Sequence, residues 1–217
     1  MQAPGDVDHH GAPVADAQHT LDKQIIRLQT LTAQLQRLVK AGLDLQTAFA
    51  MLRAYAGPAS QYTLRFNEVT PESAAAYDVA LASAWSDLLG REVSPENARL
   101  WLPLRMGGCG AASARGRMYA APWAAWCAVS DDLVRHMGAN DVESLFEIVP
   151  AIGQRISDLH AKLINQGTVG NIAYIAPARA MSLGVSQKLL ISHAHKQILR
   201  TLRATMSTDE APLLGNL

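Results

Sequence analysis

Reactive side chains in this chain are few. Cys109 stands among Gly107, Gly108 and Gly110 in "LPLRMGGCGAASARGRMYAAPWAAWCAV", and the pattern admits a phosphate loop, a reactive thiol or a tight structural joint. A phosphate loop needs a buried strand before the glycines and a lysine paired with Ser or Thr after them. Neither flanks this segment. A catalytic thiol needs a base, commonly histidine, to hold it as thiolate. Cys109 precedes an expected helix start, but no histidine carries a signature as its partner, so a small packed cysteine is preferred. Cys127 lies in an apolar segment and reads as structural. The joint fits best: glycine permits close backbone approach or positive φ, Ala111, Ala112 and Ala114 let the next helix lie near a neighbour, and Trp123 and Trp126 supply bulk.

Other candidates reduce in the same way. Asp131 and Asp132 are adjacent at an expected helix start, where capping and solvation are preferred over the clustered carboxylates that two-metal chemistry requires. His193 and His195 are two apart, whereas metal pairs on a helix use spacings of three or four. His9, His10 and His19 belong to a Pro/Gly/Asp-rich leader, and His136 and His160 read as isolated surface or capping residues. No catalytic residue, metal site or cofactor is expected.

Binding chemistry is better represented. Lys188, Lys196, Arg200 and Arg203 lie in a stretch with no acid from Ser182 to Ser207, and Lys196, Arg200 and Arg203 share a helical face with His193. Such a face could grip phosphates, electrostatically and without reading sequence, but a plain solvated surface is preferred. Arg53 and Arg65 accompany Tyr55, Tyr62 and Phe66; this mixture suits base stacking or packing beside the first helices, and packing is preferred.

These residues sit on segments that read as helices. Among 217 residues nearly half are apolar, and the formal net charge is zero, so a charged partner must be met by a local patch. Two cysteines are too few for a disulfide framework. The first twenty residues lack a secretory pattern and no apolar run reaches membrane length, so the expectation is an intracellular protein, cytoplasmic or nuclear, neither secreted nor in contact with membrane. Residues 1–20 read as a disordered leader and 21–217 as a single helical domain, with a subdivision allowed near 104–110.

Leu28, Leu31, Leu35 and Leu38 recur at helical spacing from about Leu21 to Lys40. Asp44 is placed to cap a second helix that ends at Gly57 and Pro58. Thr70 and Pro71 open a third, carrying Tyr77, Leu81, Ala84 and Leu88 to Gly90. Ser94 opens a short helix. Ser130 and Asn140 are further cap candidates, the latter with Glu143 as a capping box. Pro150 opens a helix with Ile152, Ile156, Leu159 and Leu163. "GTVGNIAYIAPA" reads as strand or buried loop, and a last helix runs from about Val185 to Met206. The fold class is all-α, a multi-helix bundle with a Gly-rich joint and little or no strand.

The glycine segment resembles the "LP…GGLG…SA…AA…SW" signature that follows the palm in reverse transcriptases of non-LTR (LINE-like) retrotransposons. "LQTAFAMLRAYAGPASQYTLRF" resembles that family's "Q.A..LLR…Y.LR" helix pair, and "AAAYDVALASAWSDLLG" the helix before the joint. "QKLLISHAHKQILRTLRATMS" is more weakly similar to a helix downstream. The resemblance spans about Leu21 to Met206 and is strongest from Gln46 to Trp126. Cys109 and Ala111 stand where leucines are usual, and the Tyr-x-Asp-Asp motif of the palm is absent from the chain.

The resemblance implies the thumb and connector helices of such an enzyme, non-catalytic without the palm, contacting RNA or DNA duplex non-specifically through the basic last helix. The alternative is a protein-interaction module forming a homo-oligomer through the Leu28/Leu31/Leu35/Leu38 face of the N-terminal helix. A cysteine-dependent enzyme at Cys109 is the third reading.

Overall fold

A computed structural model of the chain describes residues 8–9, 12–13, 17–167, 175–184 and 187–205. Among these, nine α-helices carry the architecture: α1 (Ala17–Lys40), α2 (Leu45–Phe66), α3 (Pro71–Leu89), α4 (Ala98–Trp101), α5 (Ala120–His136), α6 (Val142–Ile148), α7 (Pro150–Asn165), α8 (Pro177–Ser182) and α9 (Gln187–Thr205). Strand among the described residues is a two-residue antiparallel pairing of Asp8–His9 with Ala12–Pro13. The chain is all-α, as its periodicities predict. Most of the leader and of the "GTVGNIAYIAPA" segment lies outside the described residues, but α1 begins at Ala17, before the expected end of the leader.

Contacts divide the chain into two units, one comprising 1–115 with 197–217 and the other 116–196. The sequence expectation is one domain over 21–217 with a subdivision allowed near 104–110; by contacts the first division falls after Arg115, and the chain rejoins the first unit at Gln197. The boundary falls in the stretch between α4 and α5 and, on its return, inside α9. What defines it is which apolar stripes close on which.

In the first unit, α1, α2 and α3 pack on one another. Their core joins Leu21, Leu28 and Leu35 to Leu52, Ala56 and Leu64 and to Tyr77, Leu81 and Trp85. The Phe49 and Trp85 rings stack with centroids 4.4 Å apart, and the Tyr77 hydroxyl donates to the Ala56 carbonyl at 3.0 Å. Asp44 caps α2 by accepting from the Thr47 N–H at 2.8 Å, and Thr70 caps α3 ahead of Pro71. Gly90 ends α3 in the left-handed conformation.

The expected stop of the second helix at Gly57 and Pro58 does not occur, because α2 runs through both to Phe66. Proline removes one intrahelical donor, leaving the carbonyl four residues earlier unpaired. That residue is Ala54, which is exposed, so water can take the carbonyl. Ala56, Ser60, Thr63 and Leu64 stay buried on the opposite side and hold the helix together across the interruption.

The second unit has its own apolar cluster, in which Trp123 of α5 packs with Val142 of α6, Ile156 and Leu163 of α7, Ala178, Ala180 and Met181 of α8, and Leu190. Pro150 opens α7 as expected. Two expected caps move. Ser130 lies inside α5, its hydroxyl donating to the Cys127 carbonyl, and α6 is capped by Asp141 with Ser144 rather than by Asn140 with Glu143. Asp141 accepts from the Ser144 N–H at 2.7 Å while the Ser144 hydroxyl accepts from the Asp141 N–H, so the reciprocal box is present one residue later.

Candidate nucleic-acid interface

The glycine segment is a joint between two stretches of backbone. After α4 the chain passes Leu102, a 3-10 turn at Leu104–Met106, and Gly107 at φ +73°. It then doubles back: Gly108 donates to the Pro103 carbonyl, Cys109 to Arg99, Gly110 to Leu102 and Ala111 to Leu100, at 2.8 to 3.2 Å. A Cβ on Gly108 would collide with the Leu102 carbonyl oxygen, and Gly110 adopts φ +73°. Steric and conformational demands thus both require glycine here. The joint lies against the end of α4, through Arg99 and Leu100, and the turn that follows it, through Leu102 and Pro103. Ala112 does meet a helix, its Cβ lying 3.7 Å from where a Cβ on Gly57 of α2 would be.

Asp78, to which sequence reasoning gave no role, secures the other end of the joint. Its buried carboxylate accepts from the Ser113 hydroxyl at 2.6 Å, from the Ala114 N–H at 2.6 Å and from the Arg115 N–H at 3.3 Å. Burial raises the Asp78 pKa from its ordinary value, and the three donors together with the Arg115 charge oppose the rise. An aspartate within the apolar run that carries Tyr77 and Leu81 was the available signal, since a buried charge must be hydrogen-bonded.

Cys109 is half-buried, and burial pushes its thiol pKa up despite the charges of Arg53 and Arg91. This is the opposite of activation. Nor does Cys109 precede a helix start, because α5 begins only at Ala120. Asp131 and Asp132 lie towards the end of α5, exposed, and not at a helix start. His160 is not a surface residue: it is 5% exposed, with its ring centroid 5.3 Å from that of Trp123. His136 is exposed in the last turn of α5. An open groove beside α5, lined by Val129, Asp132, Leu133, Arg135 and His136, presents no cysteine or serine nucleophile among these residues. No group of three or more His, Cys, Asp or Glu among the described residues could hold a metal ion.

The basic residues of α9 are more open. Lys188, Lys196, Arg200 and Arg203 are exposed and His193 is half-buried. Positions 193, 196, 200 and 203 follow the three-and-four spacing of one helical face, spanning about 15 Å along the axis. Leu199 on another side is buried against Leu102 and Met106, with Ile198 and Leu202 beside it. That burial fixes the rotation of this end of the helix.

The aromatic residues of α2 depart from the expected packing. Tyr62 and Phe66 are 42% and 66% exposed, their rings 4.9 Å apart at centroid, and Arg65 is exposed beside them. Tyr55 is half-buried. Arg53 is half-buried and donates to the Cys109 carbonyl at 3.5 Å. The leucine face of α1 is largely consumed within the chain: Leu28 and Leu35 are buried, Leu31 is half-buried, and Leu38 is exposed.

No helix among the described residues is long and apolar enough to cross a membrane. No family model, curated protein or solved structure matches this chain.

Proposed function

We propose that this chain is the helical region that follows the palm of a LINE-like reverse transcriptase and that α9 gives it a sequence-independent grip on nucleic-acid phosphates. The observation that carries the grip is the exposure of Lys196, Arg200 and Arg203 on one face of a helix with no acidic residue. Cations so placed replace the counterions condensed on a nucleic acid, whose release drives binding. The family reading is supported by the way its motif segments meet: the helix carrying Asp78 holds the residues just past the glycine joint, and the Ala112 of that segment lies against Gly57 of α2. Half-buried His193 widens the same face.

The test is fluorescence anisotropy of a labelled RNA–DNA hybrid across a salt series. Wild-type protein should bind weakly and lose affinity steeply with salt. The triple variant Lys196→Ala, Arg200→Ala, Arg203→Ala should reduce the log–log salt slope by about 2 to 3, roughly 0.9 for each phosphate that is no longer neutralised. Unchanged affinity and slope would remove α9 as the contact surface.

A further inference from the structure

The outer face of α2 combines aromatic rings, a cation and an absence of acids. Met51, Tyr55, Pro58, Tyr62 and Arg65 follow at three-and-four spacing, and Phe66 adjoins the last of them. Met51, Pro58, Tyr62, Arg65 and Phe66 are exposed, and Tyr55 is half-buried. From Leu45 to Phe66 the helix has no Asp or Glu; the flanking acids Asp44 and Glu68 stand beyond its ends. The large aromatics elsewhere in this unit behave differently, with Tyr77 and Trp85 buried and Phe49 stacked on Trp85. Tyr62 and Phe66 thus leave much of their ring surface to solvent, at a cost that burial would have removed.

We propose that the Tyr62–Phe66 pair, with Arg65, is a stacking platform for the unpaired bases of a single-stranded nucleic acid. A base offers what this surface complements, a flat π-face carried on an anionic backbone, and aromatic residues beside a cation are the usual means of holding one without reading its identity. The stripe has one aliphatic side chain of any size, Met51, so it lacks the several apolar anchors by which a groove or face holds a partner helix. The platform takes its ligand class from the nucleic-acid reading above but uses a different helix. It assigns unpaired bases to α2 and leaves duplex phosphates to α9.

The experiment compares two labelled probes of equal length, an oligothymidylate of about 12 nucleotides and an abasic strand with the same phosphates and no bases. Tyr62→Ala with Phe66→Ala should weaken binding of the oligothymidylate by about tenfold or more and leave binding of the abasic strand nearly unchanged. Tyr62→Phe with Phe66→Tyr, which keeps both rings, should bind like wild type. Both positions are exposed, and circular dichroism would verify that the variants stay helical. Wild-type affinity in the alanine variant, equal losses on the two probes, or no preference of the wild type for the probe with bases would each overturn the platform. The two proposals fail separately. Loss on the α9 triple variant alone leaves the phosphate grip standing without the platform, and loss of base-dependent binding on the ring variant alone leaves the platform standing without the grip.

Discussion

In the first unit a buried carboxylate holds the loop that follows the glycine joint, whereas in the second a buried indole stands at the centre of an apolar cluster drawn from several helices. Asp78 accepts three hydrogen bonds from Ser113, Ala114 and Arg115, and the loop before them is tied down by backbone bonds across Gly108 and Gly110. Trp123 is fully buried among α5, α6, α7 and α8, and its indole N–H has no hydrogen-bond acceptor. The contrast shows two ways of making a helical unit specific. A directional acceptor tolerates few substitutions but fixes one conformation, while an apolar cage draws its strength from volume and permits an unpaired polar atom when the area buried is large.

The strongest challenge to this contrast is Trp123→Ala. Emptying the cage should cost about 3–5 kcal/mol, a large share of the stability of a unit this size. Amide exchange should accelerate throughout 116–196 far more than in α1–α3; equal acceleration in both units would show that they do not hold together by separate cores.

Next in size is Asp78→Ala, expected to cost about 3 kcal/mol by thermal melting, since it strands the buried Ala114 N–H and removes two further hydrogen bonds. Asp78→Asn should cost less. Its amide oxygen can still accept from Ala114 and its amide nitrogen can donate to the Ser113 oxygen, so that chiefly the longer Arg115 bond disappears. The two variants also separate by pH. A carboxyl whose folded pKa is raised from the ordinary 3.8 binds its proton more tightly folded than unfolded. Its contribution is greatest at low pH and is lost as pH rises from that value through the folded pKa. Melting of wild type relative to Asp78→Asn should therefore fall across that window, and a flat difference would mean the three donors fully offset the burial.

Gly108→Ala is expected to have the smallest of these effects, about 1–3 kcal/mol. A Cβ there meets the Leu102 carbonyl and must push two backbone strands apart. The cost should appear as faster exchange at the Cys109 and Gly110 amides, with the α5–α8 cage unaffected. A neutral substitution would show the joint to be looser than its bond lengths imply.

Much of the fold was legible because its signals are local. Thr70, Pro71 and Gly90 bound α3, and Pro150 opens α7, through conformational preferences that act within a few residues. Where the sequence misled, a local signal lost either to a distant contact or to a neighbouring local one. Gly57 and Pro58 are strong breakers, yet α2 continues because its opposite face is buried. Asn140 and Glu143 had the spacing of a capping box, but Asp141 and Ser144 make the box that forms. The candidate site divides in the same way. The acid-free basic run of α9 is a property of composition and could be read directly, whereas the exposure of Tyr62 and Phe66 could not.

From the residues alone it could be read that this chain is helical, where α3, α7 and α9 lie, that glycine was needed around Cys109, and that the last helix is cationic. These follow from periodicity, caps and charge, all of which operate along the chain. The packed fold was needed to show that Asp78 holds the joint, that His160 lies inside beside Trp123, that the chain divides after Arg115, and that two rings of α2 face water. Each of these depends on which residues far apart in sequence come to share a desolvated space, and burial of that kind is not a property of any single segment.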